Sequence, residues 1–289
     1  MSFALFTDAC SNLPGKLLAR YQIHVLPCSY TVDGVQTVYN GEIDAFDAHA
    51  HYELLRAGKH VQTSLLNTQL FLDSFRPALE AGQDILYVGM SSGISGTYQA
   101  STLAAGELRG EFPDRQIRTV DSLGAGFGPG LLTLRAAAAR EAGKDAGAVA
   151  DELEQARLNL CEYFTVDDLM FLRRSGRLNA ASAVVGTMLG IKPILRGDEA
   201  GHIVVSHKCR GRKKALETLA QIYAQRVVHP ENQIVAISHG DCPADDQALA
   251  DRITAIAQPK ELLICPHEPF TGSHVGPGML GLFFFSEGR

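Results

Sequence analysis

Residues 84–108 read DILYVGMSSGISGTYQASTLAAGEL and have the pattern of one strand, one loop and one helix in succession. Apolar residues fill 85–88, which predicts a short buried strand over 84–89. Glycine and serine dominate the next positions, and the residues that follow predict a helix over 96–108. A strand that leads through a short loop into a helix is typical of a β-α-β unit.

The same order of strand, loop and helix continues on both sides of this stretch. In the first half of the chain it predicts strands over 3–6, 23–30 and 115–120, and helices over 46–56, 68–80 and 131–142. Such alternation predicts a mostly parallel sheet flanked by helices, in which ligands bind at the carboxyl ends of the strands.

The second half of the chain has a different pattern. Helical patterns over 148–161, 212–226 and 244–257 separate short apolar stretches at 163–166, 169–173, 194–195, 203–207, 234–239, 262–265 and 281–286. We expect an α/β domain with a mixed or antiparallel sheet there. A chain of 289 residues is long enough for two domains, and we place them at 1–158 and 159–289.

The composition is that of an ordinary folded protein and argues against several functions. The net charge is −6, which does not suit a protein that neutralises nucleic-acid phosphates. The six cysteines form no CxxC pair, so we predict neither a zinc site nor a disulfide framework, and reduced thiols in a cytoplasmic protein are the simplest interpretation. No run of about 18 apolar residues predicts a membrane span.

Small hydroxyl residues and glycines follow apolar runs at three places: VQTS at 61–64, SSGISGT at 91–97 and DSLGAGFGPG at 121–130. At a strand-to-helix junction, free backbone N–H groups and the positive end of the helix dipole favour an anion. The hydroxyls of Thr63 and Ser95 would add uncharged donors. N-caps and tight turns explain any one of these stretches as well, but three at one edge of a sheet favour a binding site.

Two segments are similar to known functional motifs but do not match them. The segment 93–97 resembles the G-x-S-x-G elbow of serine hydrolases, but Thr97 stands where the second glycine belongs. In the glycine-rich loop, Pro129 or Leu131 occupies the third glycine position of a dinucleotide motif, so close packing of the helix against the sheet explains these glycines better. A hydrolase that uses Ser95 and a phosphate- or nucleotide-binding regulator remain alternatives. We predict no metal site.

The second half contains two basic stretches, RRSGR at 173–177 and KCRGRKK at 208–214. On an acidic protein they indicate either solvated surface or a docking site for an acidic partner or a phosphate group. Near the C-terminus, GSHVGPG at 272–278 predicts an exposed, turn-rich loop that carries His274.

Taken in order, these segments resemble the DegV family along nearly the whole chain. The matching segments are TD at 7–8, LP at 13–14, TS at 63–64, SSGISGTYQ at 91–99, DS at 121–122, FLRRSGR at 171–177, GIKPIL at 190–195, RKKA at 212–215 and HVGPG at 274–278. Each segment is short, and SSGISGTYQ is the most specific of them.

The resemblance implies a non-enzymatic carrier that holds one long-chain fatty acid, such as palmitate, between its two domains. The acyl tail would lie in an apolar tunnel, and no cofactor is expected. In the family the carboxylate meets threonine and serine hydroxyls, and these positions fall on Thr63 and Ser95, with Ser64 and Ser92 beside them. His274 falls on the family's histidine near the head group.

The resemblance also implies a partner. Arg173 and Arg210 fall on basic positions associated with a fatty acid kinase, which phosphorylates the bound acid to an acyl phosphate. The chain departs from the family pattern at two places. Leu65, Leu66 and Asn67 follow the TS segment where proline and serine are common, and Cys10 lies in a loop where hydroxyl residues are commoner.

Overall fold

A computed structural model of the protein describes residues 3–178 and 190–289. Its contacts divide the chain into two units. Unit 1 contains the residues up to Ala45 together with Gln62–Arg157, and unit 2 contains Phe46–Val61 together with the residues from Leu158 onward. Segment 46–61 therefore interrupts the first unit in sequence while belonging to the second. The boundary placed between residues 158 and 159 stays a prediction.

Unit 1 is built on a four-stranded sheet in which all neighbouring strands are parallel. The strand order is β2-β1-β6-β7. The strands are β1 (Ala4–Asp8), β2 (Ile23–Leu26), β6 (Ile85–Gly89) and β7 (Ile117–Asp121). Strands β1 and β6 are buried along their whole length, which is why they read as continuous apolar runs and not as alternating patterns.

Helices cover this sheet. They are α1 (Gly15–Arg20), α3 (Thr68–Glu80), α4 (Thr97–Glu111), α5 (Phe127–Glu141) and α6 (Ala146–Ala156). Helices α3 and α4 pack against each other, as do α5 and α6. Side chains of Asn67 and Asp145 accept hydrogen bonds from the first turns of α3 and α6, so both helices begin at an N-cap residue.

The predicted strand over 23–30 is two strands. Strand β2 ends at Leu26, and β3 (Cys28–Val32) begins after Pro27 and joins a different sheet. Proline has no N–H to donate to a strand ladder, so it is a natural point at which the chain leaves the parallel sheet. The second sheet has three strands in the order β4-β3-β5, where β4 is Val35–Tyr39 and β5 is Val61–Ser64.

Unit 2 contains a six-stranded mixed sheet with the strand order β10-β9-β8-β13-β11-β12. Only β11 and β12 are parallel neighbours among these described strands. The strands are β8 (Leu160–Thr165), β9 (Ile191–Gly197), β10 (Ile203–Arg210), β11 (Ile234–His239), β12 (Glu261–Pro266) and β13 (Leu280–Phe285). The predicted mixed sheet of the second half, and with it the two-part α/β fold, is confirmed.

The α-helices of unit 2 are α2 (Ala48–Arg56), α7 (Met170–Arg174), α8 (Arg212–Arg226), α9 (Pro243–Ile256) and α10 (Pro269–Val275). Two sequence predictions for the helices need correction, one of them at the end of α6 in unit 1. The helix predicted over 148–161 ends at Ala156, because Cys161 belongs to buried strand β8. Residues 272–275 belong to α10 and not to an exposed loop, and Gly272, Ser273 and Val275 are buried.

None of the helices in the described ranges combines the length and the apolar content needed to cross a membrane. The cytoplasmic location stays a prediction.

Candidate functional site

The strand order places the candidate site at the carboxyl edge of the parallel sheet. In the sheet, β2 lies on one side of β1, and β6, which comes later in the chain, lies on the other side. The loops that follow β1 and β6 therefore begin side by side at a topological switch point. Open parallel sheets bind ligands in the crevice that such a point creates. The segments 91–97 and 121–130 both begin at this edge.

Asp8 links the loop after β1 to the loop after β6. Its Oδ1 accepts a hydrogen bond from the backbone N–H of Cys10 at 3.0 Å, in the loop after β1. Its Oδ2 accepts from the Tyr87 hydroxyl at 2.8 Å and from the backbone N–H of Met90 at 3.2 Å, where the loop after β6 begins. Burial raises the pKa of the Asp8 carboxyl, and these hydrogen bonds oppose that rise. Asp8 thus acts as a fixed internal acceptor.

Asp121 links the loop after β6 to the loop after β7 in a similar way. Its Oδ1 accepts from the backbone N–H of Ser92 at 3.2 Å and from that of Leu123 at 2.9 Å. The backbone N–H of Ser91 also donates to the carbonyl of Gly124 at 2.8 Å. The loop that carries Ser95 is therefore held on both sides by carboxylates of neighbouring strands.

The Ser95 hydroxyl belongs to a short chain of hydrogen bonds that reaches the segment after β5. Ser95 Oγ lies 3.0 Å from the hydroxyl of Thr97 and accepts a hydrogen bond from the Thr97 backbone N–H at 3.2 Å. The Thr97 hydroxyl in turn accepts from the backbone N–H of Leu66 at 3.3 Å. Thr97 is fully buried, whereas Ser95 is half-buried. Thr97 therefore joins the Ser95 loop to the segment that directly follows β5, the strand that carries Thr63.

The other predicted head-group residues of unit 1 differ in exposure. Thr63 lies in β5 and is half-buried, and Ser64 is the last residue of that strand and is exposed. The side chain of Ser92 is also exposed. Thr63 and Ser95 are thus the two members of the predicted set whose hydroxyls are partly shielded from water.

His274 lies in the last turn of α10 in unit 2. Its ring packs edge-on against Phe270, with the centroids 6.4 Å apart. Burial, together with the charge of Arg177, lowers the pKa of His274 to about 4. The ring is therefore neutral near pH 7 and offers a hydrogen bond and not a positive charge.

Arg173 and Arg210 also lie in unit 2 and are exposed. Arg173 belongs to α7, and Arg210 is the last residue of β10. Neighbouring Arg212 pairs with Asp245 at 2.8 Å. Within the described ranges, neither Arg173 nor Arg210 has an ion pair or a side-chain hydrogen bond. Their charges are thus accessible to an acidic partner.

Comparison with known proteins shows which family has this architecture. The model of a family described as "Uncharacterised protein, DegV family" matches residues 2–287. The chain belongs to the DegV family. A DegV domain-containing protein of Clostridium perfringens is 35% identical over 285 residues, covering 99% of this chain and 98% of that protein. One from Streptomyces coelicolor is 31% identical over 286 residues, with 98% of each chain covered.

Solved DegV structures share the fold. A DegV family protein from Thermus thermophilus, described for its fatty acid binding, has a TM-score of 0.87 at 30% identity and covers 99% of this chain and 100% of its own. A fatty acid binding DegV family protein from Streptococcus agalactiae has a TM-score of 0.86 at 25% identity, with 99% of each chain covered. DegV from Bacillus subtilis, described as a fatty acid binding protein, has a TM-score of 0.82 at 26% identity and covers 99% of this chain and 100% of its own.

The surroundings of Ser95 do not favour the hydrolase alternative in this DegV chain. A serine nucleophile needs a base within hydrogen-bond reach, usually a histidine. Within the described residues, the hydrogen bonds of Ser95 Oγ go to Thr97. Ser95 is also not among the residues with positive φ, so it lacks the strained backbone of a nucleophile elbow.

Sequence reasoning did not assign roles to three residues that organise this DegV site: Asp8, Asp121 and Thr97. Both aspartates end a strand of the parallel sheet, and this position is visible as a single acidic residue closing an apolar run. The role of Thr97 is harder to recognise from the sequence, because a threonine at the first position of a helix is typical of an ordinary helix start. Its hydrogen bond to Leu66 joins residues 31 positions apart, which sequence spacing does not reveal.

Proposed function

We propose that this protein is a non-enzymatic carrier of one long-chain fatty acid, such as palmitate, and that the Thr63 and Ser95 hydroxyls hold the carboxylate. The observation that carries the proposal is the placement of Ser95. Its hydroxyl belongs to the loop that starts at the switch point of the parallel sheet, where Thr97 positions it, and among the described residues its hydrogen-bond partners include no catalytic base. Family membership and the fatty acid binding described for relatives at 25–30% identity support the choice of ligand.

The physical chemistry of the ligand suits a site of uncharged donors. Burying a chain of about 15 methylenes at roughly 0.8 kcal/mol each gives a gross driving force on the order of 12 kcal/mol. Ordering and association costs remove a large share of it. The hydroxyls then need to orient the carboxylate and supply only a smaller part of the affinity. Ser64 and Ser92 are proposed as flanking polar groups, and His274 as a neutral hydrogen-bond partner.

We further propose that the carrier presents its fatty acid to a fatty acid kinase, with Arg173 and Arg210 at the docking surface. Both guanidinium groups are exposed and without an acidic partner among the described residues. Complementary charges increase the rate at which two proteins associate, so removing these charges would weaken docking before it affects the bound lipid. In this proposal the kinase performs the phosphoryl transfer, and the carrier contributes no catalytic group.

The first test is the lipid content of the native protein. Protein purified without detergent is extracted with organic solvent, and the extract is analysed by mass spectrometry. We expect close to one fatty acid for each chain. If no fatty acid is extracted and the emptied protein does not take up added palmitate or oleate, the carrier proposal is wrong.

The second test addresses the head-group residues by calorimetric titration of emptied protein with palmitate. Thr63→Val and Ser95→Ala each remove one hydroxyl, and each loss is expected to weaken binding by about 1–3 kcal/mol, or roughly 5- to 150-fold. Thr102→Ala is the matched control, since that hydroxyl donates to the Gln99 carbonyl of its own helix. The Thr63→Val/Ser95→Ala double variant is titrated in the same way. If its affinity for palmitate is undiminished, Thr63 and Ser95 are excluded as donors to the carboxylate.

The third test separates docking from lipid binding. Acyl phosphate formation is measured with palmitate-loaded carrier, ATP and a bacterial fatty acid kinase, for the natural chain and for the Arg173→Ala/Arg210→Ala double variant. We expect the double variant to bind palmitate normally and to support at least about tenfold less acyl phosphate at limiting carrier concentration. Equal acyl phosphate formation would remove both arginines from the docking surface.

A further inference from the structure

Two cysteines meet at the edge of the parallel sheet in unit 1. Cys10 lies in a single 3-10 turn, Ala9–Ser11, directly after β1, and Cys28 is the first residue of β3. Their Sγ atoms are 3.4 Å apart, and the two residues are 0% and 1% exposed. By contrast, Cys161 and Cys209 contact the hydroxyls of Ser286 and Thr218. Cys10 and Cys28 thus have a sulfur-to-sulfur contact.

We propose that Cys10 and Cys28 are a site of reversible oxidative modification, at which hydrogen peroxide converts the two thiols into a disulfide. One thiol, as its thiolate, attacks a peroxide oxygen, which breaks the O–O bond, gives a sulfenic acid and releases hydroxide. The second thiol attacks the sulfenic sulfur, forms the S–S bond and displaces the second oxygen, which leaves as water. In total, two thiols and one peroxide give one disulfide and two waters, and two electrons pass from sulfur to oxygen.

The position of the pair favours this chemistry over adventitious oxidation of single thiols. The Cys10 backbone N–H is fixed by Asp8, and Asn12 ends the turn in a left-handed conformation, so the turn holds its sulfur against Cys28. Because the resolving thiol is already in contact, the second step is intramolecular and fast compared with further oxidation of the sulfenic acid. A small oxidant suits a buried pair, since it needs only a slight opening of the three-residue turn.

A metal ion is the competing occupant of this cluster. One carboxylate oxygen of Asp8 and the two Sγ atoms lie within 4.8 Å of one another. A zinc ion would require both thiols as thiolates beside an ionised carboxylate in a fully buried place. Asp8 already accepts hydrogen bonds from Tyr87, Met90 and Cys10. A disulfide, in contrast, needs a single thiolate only during the reaction, and its formation replaces the Cys10 thiol hydrogen bond to Asp8 while the bonds from Tyr87 and from the Met90 and Cys10 backbone N–H groups remain.

The crosslink would join the first loop of the parallel sheet to the three-stranded sheet. Asp8 connects that loop to the start of the loop that carries Ser95, and β3 lies next to β5, which carries Thr63. Any effect of the disulfide on lipid affinity therefore rests on the proposed function. Formation of the disulfide does not, and it can be measured without any fatty acid.

The experiment maps the thiols of the full-length natural chain after mild peroxide treatment. The treated protein is denatured in N-ethylmaleimide and digested with trypsin without reduction. Cys10 and Cys28 then lie in different peptides, 1–16 and 21–56, so a linked pair has a unique mass. We expect this pair to form at least about tenfold faster than Cys161, Cys209 or Cys265 is oxidised, and to disappear after treatment with dithiothreitol.

Three variants complete the test. In Cys28→Ser and in Cys10→Ser the linked peptide is absent, and the variant that keeps the attacking thiol accumulates a sulfenic acid that dimedone traps. Cys161→Ser, at another buried cysteine, leaves the linked peptide unchanged. Oxidation of all buried thiols at similar rates would overturn the proposal. So would a stoichiometric zinc ion that protects Cys10 and Cys28 from both peroxide and maleimide.

Discussion

At the scale of single residues, the hydroxyl of Thr97 decides how well Ser95 can act as a donor. Each hydroxyl can donate one hydrogen. In the 3.0 Å contact between Ser95 and Thr97, the Ser95 hydroxyl donates its hydrogen to Thr97 Oγ1. A carboxylate is a stronger acceptor than a hydroxyl, so a bound fatty acid would take the Ser95 hydrogen. Thr97 would then rotate its own hydrogen toward Ser95 Oγ. Thr97 is thus a positioning residue for the proposed head-group contact.

This role predicts different outcomes for two substitutions of Thr97. Thr97→Val keeps the shape and the backbone N–H that donates to Ser95 Oγ, but it removes the hydroxyl that accepts from Ser95 and from the Leu66 N–H, so we expect palmitate binding to weaken by about 1–2 kcal/mol. Thr97→Ser restores the hydroxyl and is expected to bind palmitate within about threefold of the natural chain. Titration calorimetry with palmitate measures both. Equal losses in the two variants would mean that packing, and not the hydroxyl, is responsible.

At the scale of elements, the close approach of α5 to the turn after β1 explains one glycine of the segment 121–130. A Cβ atom on Gly130 would collide with the backbone carbonyl oxygen of Ser11 and lie 3.1 Å from a methyl group of Leu13. A backbone atom cannot rotate away as a side chain does. Gly130 is therefore a close-packing residue, but its close contacts are with the turn and loop after β1 and not, as the sequence predicts, with a strand of the sheet.

Gly130→Ala is accordingly expected to lower the free energy of unfolding by about 1–3 kcal/mol. The control is Gly106→Ala in the exposed middle of α4, where a Cβ would have no atom within 4 Å. Since alanine favours a helix more than glycine does, this control is expected to raise stability by about 0.5–1 kcal/mol. Urea unfolding followed by circular dichroism compares the two. The same sign of change in both variants would contradict the packing argument.

The bounds of some helices and strands could be predicted from the sequence, and those of others could not. Helices α3 and α8 have the predicted bounds because a polar start and a regular apolar face mark them locally. The break at Pro27 reflects the pairing of β3 with the distant strand β5, and the burial of Gly272, Ser273 and Val275 reflects the packing of α10 against α2 and α7, so the local pattern misplaced both. In the candidate site, position and resemblance predict Thr63 and Ser95, and both stay predictions, whereas Thr97 is evident only from its link to Leu66.

At the scale of the whole molecule, buried neutral histidines set the response of stability to acid. His267 is fully buried, with Ser238 Oγ 2.9 Å from Nδ1 and Thr271 Oγ1 2.8 Å from Nε2. Burial, with a smaller effect of His239, lowers the pKa of His267 to about 3. Burial also lowers the pKa of His51 to about 4. These rings stay neutral in the folded chain under conditions in which they are protonated in the unfolded chain.

The direction of the pH effect follows from proton binding. An unfolded histidine binds its proton below about pH 6.5, whereas folded His267 remains unprotonated down to about pH 3. Over that window the unfolded chain holds more protons, so acid favours unfolding. The stability contributed by His267 is complete above about pH 6.5 and is lost as the pH falls. Each such histidine changes the free energy of unfolding by up to about 1.4 kcal/mol per pH unit.

His267→Gln isolates this contribution from that of the carboxyl groups, such as Asp8, whose raised pKa acts in the opposite direction. Glutamine keeps one donor and one acceptor but cannot be protonated in this pH range. We expect the variant to be less stable at pH 7 by about 1–3 kcal/mol, and to lose stability more slowly between about pH 6 and pH 4. Urea unfolding at several pH values measures the slope, with exposed His60→Gln as the control. An unchanged slope in His267→Gln would show that this ring does not titrate on unfolding, and the acid sensitivity of the fold would then have to come from other groups whose pKa is lowered in the folded chain, such as His51 and Asp241.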